Sequence, residues 1–265
     1  MKNDLAYTNV DFIPDGAGYP DRWATAAREW RNLEAALGRA RLNDPYGQGD
    51  RQKIDFFHPA GRPEGLIFFV HGGYWMKFDR GFWSHFARGG TERGWVVAMP
   101  SYTLAPEARI SAMTQEMVQA LIHAAGRVQG PIRLTGHSAG GHLAARMICP
   151  DIDLPPYIVD RLARVMPISP VSDLRPLLET SMNATLGLDE DEAMRESPAL
   201  YPTPRDVPTT VWVGADERPV FLDQARWLAN AWPGADLVIE MGRHHFDVID
   251  GLADPESGML TRLLA

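Results

Sequence analysis

The sequence predicts an α/β fold, with a mostly parallel central sheet and helices on both faces. Three observations lead there. Short apolar runs recur along the chain, helical patterns alternate with them, and Gly or Pro punctuates the boundaries. Strands alternating with helices imply βαβ units and parallel pairing. Right-handed crossovers then place helices on both sides of the sheet. A chain of 265 residues suits one such domain, 1–265, with about the first 50 residues as an N-terminal extension.

The elements follow in order. Asp21 to Arg41 reads as a helix with Asp21 as N-cap, because Trp23, Ala26, Ala27, Trp30, Leu33, Ala36 and Leu37 recur at helical spacing. Lys53 to Phe57 reads as a strand. Leu66 to Val70 is a continuous apolar run entering a Gly pair, the pattern of a strand buried on both faces. Gly81 to Arg93 is predicted helical, Trp95 to Met99 a strand, and Ser111 to Val128 a helix with Met113, Met117, Ala120, Leu121 and Ala124 on one face. Strand Ile132 to Thr135 and helix Gly140 to Ile148 follow. Then come strands Arg164 to Ile168 and Thr209 to Val213, helix Ala225 to Trp232, strand Leu237 to Glu240, and a last helical region from Asp247.

Composition narrows the function classes. Apolar residues make up 45% and charged residues 23%, the balance of an ordinary globular chain. A net charge of -8 argues against a nucleic-acid partner, which needs clustered Lys and Arg. The single cysteine, Cys149 before Pro150, excludes an internal disulfide and reads as an inert thiol in a reducing compartment. Met1 to Pro14 lacks the basic-then-apolar pattern of a secretory signal, and no run approaches the ~20 apolar residues of a membrane span. The expectation is a cytoplasmic protein acting on a small molecule, without a membrane or nucleic-acid partner; a homodimer stays open.

The chemistry concentrates at Gly136-x-Ser138-x-Gly140, between an apolar strand and a helix. This is the nucleophile-elbow arrangement of the α/β-hydrolase fold: a serine on a strained turn, glycines where side chains would clash, and a helix N-terminus favouring negative charge. Ser84, Ser101, Ser169 and Ser172 lack the glycine pair and read as caps, turns or packing. The oxyanion of acyl transfer needs pre-placed donors. The backbone N–H of Ala139 is one. The loop His71-Gly72-Gly73-Tyr74-Trp75 after the buried strand offers those of Gly73 and Tyr74, with Gly72 shaping the loop and His71 holding it.

The acid and base of this fold come later, in the order Ser, Asp or Glu, His. Asp216, after strand Thr209 to Val213, is the expected acid. Its neighbour Glu217 reads as solvated, and Asp173 is the competitor. The base falls to His244 or His245, which position alone does not separate. His58, His85, His123, His137 and His142 come too early, and no histidines show metal-ligand spacing. Neither a metal nor a cofactor is expected.

The motifs H-G-G-Y-W at His71 to Trp75 and G-H-S-A-G-G-H-L at Gly136 to Leu143 resemble those of the serine-dependent kynurenine formamidases (arylformamidases), which are related to the hormone-sensitive-lipase-like esterases. Tyr74 stands where the esterases usually have a glycine. Tyr102 to Glu107, Ser169 to Leu177, Leu186-Gly187-Leu188 and Ser197-Pro198 extend the likeness over roughly Phe56 to Leu252. His245-Phe246-Asp247 resembles the family's H-F-[DE], which selects His245 over His244. The resemblance also supports Asp216, and likens the N-terminal helix to a cap-forming segment. It implies hydrolysis of N-formyl-L-kynurenine to kynurenine and formate. Tyr74 would then line a narrow acyl side, and Trp75, Phe82 and Trp83 an apolar wall for the aromatic amine. The rival readings are a short-acyl carboxylesterase on the same scaffold and, from a different class, a hydrolase-like binding protein.

Overall fold

A computed structural model describes residues 3–202 and 204–265; Met1 and Lys2 of the N-terminal stretch read above lie outside them. The seven expected runs form strands, and an eighth strand, β1, which has no apolar run and is not among the expected ones, precedes them: β1 (Ala40–Pro45), β2 (Lys53–Phe57), β3 (Leu66–Val70), β4 (Val96–Pro100), β5 (Ile132–His137), β6 (Leu162–Ile168), β7 (Thr210–Gly214) and β8 (Asp236–Glu240). They make one sheet in the order β1-β2-β4-β3-β5-β6-β7-β8. β2 runs antiparallel to β1 and β4, and every other pairing is parallel.

β3, β4, β5 and β7 are buried along their whole length, which is why they read as continuous rather than alternating apolar runs. Successive side chains still point to opposite faces. Phe68 packs with Met113, Met117, Leu121 and Leu134 on one side. Phe69 packs with Trp23, Trp83, Met166 and Trp212 on the other.

Several elements differ from expectation: Asp21 lies in the first turn of its helix, whose N-cap is Gly18, and the helix expected from Ala225 starts at Pro219. The N-terminal helix spans Tyr19–Ala36 rather than reaching Arg41. Gly38, at φ 68°, takes the left-handed conformation that ends helices, and the chain then turns into β1, which pairs with β2. Gly81 to Arg93 is not one helix. It consists of two 3₁₀ turns, Arg80–Phe82 and Ser84–Phe86, and a short helix, Ala87–Glu92. Gly89 and Gly90 are poor helix formers, and they are there for space: a Cβ on Gly89 would lie 2.4 Å from Leu252 O. A buried carboxylate, Asp55, ties the N-terminal helix to the sheet. It pairs with Arg31 of that helix and with Arg80, and accepts the Asn43 N–H at 2.7 Å. No helix among the described residues is long and apolar enough to cross a membrane.

The topology fixes where a site forms. From β3 the chain moves to β4 on one side, and β5 lies on the other. The crevice at such a reversal, beyond the carboxyl ends of the strands, is where open α/β sheets bind ligands. Val70 pairs with Gly136, so the loops after β3 and β5 leave the sheet side by side.

Candidate active site

Ser138 follows β5 with φ 55° and ψ -118° and leads directly into the Ala139–Arg146 helix. That backbone conformation is strained for a residue with a Cβ. Its surroundings impose it: a Cβ on Gly136 would lie 2.3 Å from Gly140 O, and one on Gly140 2.0 Å from Val70 O. Both clashes are with backbone, so no rotamer relieves them. Gly140→Ala is expected to lose more than about 4 kcal/mol of stability, seen as loss of the cooperative thermal melt; a wild-type melt would contradict this packing.

The His71–Trp75 loop lies against the serine. A Cβ on Gly72 would come within 3.2 Å of Ser138 Cβ and 2.8 Å of His137 O. Gly73 takes φ 120°, and a Cβ there would meet Lys77 O at 2.3 Å. Tyr74 and Trp75 continue at φ 55° and 59°. The N–H groups of Gly73, Tyr74 and Ala139 have no hydrogen-bond partner among the described residues. The imidazole of His71 braces the loop: Nδ1 bonds to Gly72 O at 2.8 Å, and the ring stacks on Tyr102 at 4.5 Å. Burial lowers its pKa to about 4, so it is neutral.

The carboxylate on the site histidine is Glu217, not Asp216. Glu217 Oε2 accepts from His245 Nδ1 at 2.6 Å. Its Oε1 accepts from Gly214 N at 2.8 Å and Ser169 Oγ at 2.5 Å. Both oxygens of this buried carboxylate are thus hydrogen-bonded, by three donors in all. Asp216 is exposed; its N–H is drawn to Arg243 O at 2.9 Å, which turns the side chain outward. Asp173 is bound by Arg175 at 2.6 Å and does not reach the histidine.

Of the histidine pair, His245 faces the cavity. His244 is held aside by Tyr19 at 3.1 Å and by Asp247. His245 is 3% exposed, packs on Phe221 with ring centroids 4.1 Å apart, and has its backbone O held by His137 Nε2 at 2.8 Å. Burial holds His137 well below its ordinary pKa, so a neutral ring positions the base without adding charge. His245 Nε2 and Ser138 Oγ have no partner among the described protein groups, and both residues line one cavity. Hydrogen bonds of this kind are often loose without substrate.

That cavity holds about 360 Å³, within the range of small-molecule sites. Tyr74 and Trp83 line it, as expected. Trp75 and Phe82 do not. Trp75 is buried edge-on against His142 at 5.2 Å, on the far side of the loop from the cavity. Phe82 packs on Phe78, and it is Phe78 that reaches the cavity. The wall is completed by Trp23, Phe246, Met76 and Met182, and by an N-terminal stretch including Tyr7, Thr8 and Asn9. Sequence reasoning missed these. Only the cap-like reading of the N-terminal helix pointed towards Trp23, and nothing local marked Tyr7 or Asn9.

A model of the alpha/beta hydrolase fold matches residues 67–235. A kynurenine formamidase of Danio rerio is 29% identical over 255 residues, covering 88% of this chain and 85% of that protein. A solved structure from Silicibacter sp. TM1040, described provisionally as a thioesterase, is 54% identical with a TM-score of 0.97 and covers all of both chains. Esterase B from Lactobacillus rhamnosis, at 18% identity and a TM-score of 0.67 over 93% of this chain and 92% of that one, shares the fold. With the elbow, the sheet order and the family match in agreement, the chain belongs to the alpha/beta hydrolase fold family.

Proposed function

We propose that the protein is a serine hydrolase that cleaves N-formyl-L-kynurenine to kynurenine and formate, with Ser138, His245 and Glu217 as its triad. His245 Nε2 takes the proton of Ser138 as Oγ attacks the formyl carbon. Glu217 holds Nδ1–H and stabilises the imidazolium. The N–H groups of Gly73, Tyr74 and Ala139 receive the oxyanion. Collapse breaks the C–N bond, the aromatic amine leaves with the proton from His245, and water releases formate from the serine.

The observation that carries the reading is the composition of the cavity around Ser138. Aromatic rings from Trp23, Phe78, Trp83 and Phe246 surround it, a setting for an aryl leaving group. The similarity to a formamidase along most of the chain supports the same substrate. A reducing, cytoplasmic setting fits the buried Cys149, whose thiol burial raises to about 12.

The test compares N-formyl-L-kynurenine with p-nitrophenyl acetate and acetyl-CoA. The formamide is expected to lead in kcat/KM by about tenfold or more, and Ser138→Ala to lower kcat by about 10⁴-fold or more on every substrate. A lead by the thioester or the ester, with serine dependence intact, would keep the machinery and reject the substrate.

A further inference from the structure

Tyr74 has a Cβ and yet sits at φ 55°, in a region that residues other than glycine rarely adopt. Such a conformation persists only when the surroundings over-determine it. Here the far end of the side chain does so. The Tyr74 hydroxyl donates to Tyr7 O at 2.8 Å and accepts from Asn9 Nδ2 at 3.0 Å. Asn9 is 2% exposed, and its Oδ1 is buried without a partner. Its position is therefore explained by the donor it supplies, not by satisfaction of its own groups. Tyr7 is anchored in turn, its hydroxyl accepting from Gln224 Nε2 at 2.9 Å. Gln224, fully buried, also clamps the Asp173 backbone, with its Oε1 to N at 2.7 Å and its Nε2 to O at 2.8 Å.

We propose that the Tyr74 hydroxyl and Asn9 are positioning residues for oxyanion stabilisation: together with Tyr7 O they clasp the loop beside Ser138, so that the Tyr74 N–H stays aimed where negative charge develops. The proposal rests on the acyl-transfer reading above. Oxyanion donors work by being fixed before the charge appears. Without the clasp, the Gly73–Tyr74 peptide is free to relax out of the left-handed region, and its N–H swings away. Because the donor matters most when the oxygen is charged, the loss falls on kcat and leaves KM nearly unchanged.

Tyr74→Phe keeps the ring and removes the clasp. Its kcat is expected to fall about 10- to 100-fold, with KM within about twofold of wild type. Affinity for phenylboronic acid, which forms a tetrahedral adduct on the serine, should fall by a similar factor. Asn9→Ala should move both readouts in the same direction, with a cooperative melt retained in either variant. Wild-type kcat and boronate affinity in a folded Tyr74→Phe or Asn9→Ala protein would overturn the proposal, as would a change confined to KM. Should the parent protein neither turn over acyl substrates nor bind the boronate, the acyl-transfer reading falls and takes the clasp with it, an outcome visible without any variant.

Discussion

Glu217→Gln is expected to lower kcat about 10³- to 10⁴-fold with little change in KM, while Asp216→Asn stays within about twofold of wild type. The amide fits the same space but cannot neutralise the imidazolium, and its NH₂ can favour the wrong histidine tautomer. Gly214 N and Ser169 Oγ both donate to Glu217 Oε1, so a glutamine oriented to satisfy them presents its NH₂ to His245. Asp216 is exposed, and its charge is screened by water. Steady-state kinetics on any substrate the enzyme turns over decides the matter. The reverse ranking of the two variants would mean that the His245–Glu217 contact at 2.6 Å is not the catalytic one.

Acid should destabilise this protein above the ordinary carboxylate range. His71 and His142 are fully enclosed, and burial lowers their pKa values to about 4 and about 3; His137 is pushed down in the same way. In the unfolded chain each titrates near its ordinary value of 6.5. Their folded values lie below their unfolded ones, so the unfolded state binds more protons as pH falls below 6.5. The stability present above that pH is lost progressively towards the folded values. Each group contributes about 1.4 kcal/mol per pH unit in that window. At pH 5 His71 and His142 together amount to about 4 kcal/mol, a large fraction of the stability of many domains, and His137 acts in the same direction. Two carboxyls oppose the trend: Glu196, raised chiefly by burial, and Asp250, raised to about 6 by burial and by Asp247. Asp250 keeps 51% of its side chain exposed, so solvent screening limits its offset. Melting curves from pH 8 to pH 4.5 should show a plateau above pH 7 and a fall of about 10 °C or more by pH 5. A flat profile from pH 7 to pH 5 would contradict the neutral, buried state of these rings.

The sheet was legible because buried parallel strands are written as continuous apolar runs, and Lys53–Phe57 and Leu66–Val70 match the structure to the residue. The elbow was legible because backbone crowding leaves only glycine at 136 and 140. The acid was not. Adjacent residues after β7 point to opposite sides, and an Asp-Glu pair offers two carboxylates with no apolar pattern to say which one turns inward. The aromatic wall was half legible for a similar reason. Trp75 and Trp83 are both almost fully buried, but which of them faces the serine depends on a run of positive φ values from Gly73 to Trp75. Tyr7 and Asn9 were invisible, since they meet the site at Tyr74, 67 and 65 residues away in sequence, and Tyr7 is anchored by Gln224, 217 residues away.

Those separations also set an order of events. The segment that closes the cavity precedes the whole sheet in sequence, but it docks on Pro176 O, Arg218 and Gln224, and Tyr19 waits for His244. Contacts between distant parts of a chain carry the largest loop-closure cost and form late. The sheet can therefore assemble around an open, solvent-flooded serine, and the reaction chamber takes its shape only when the segment before the sheet meets loops from its second half.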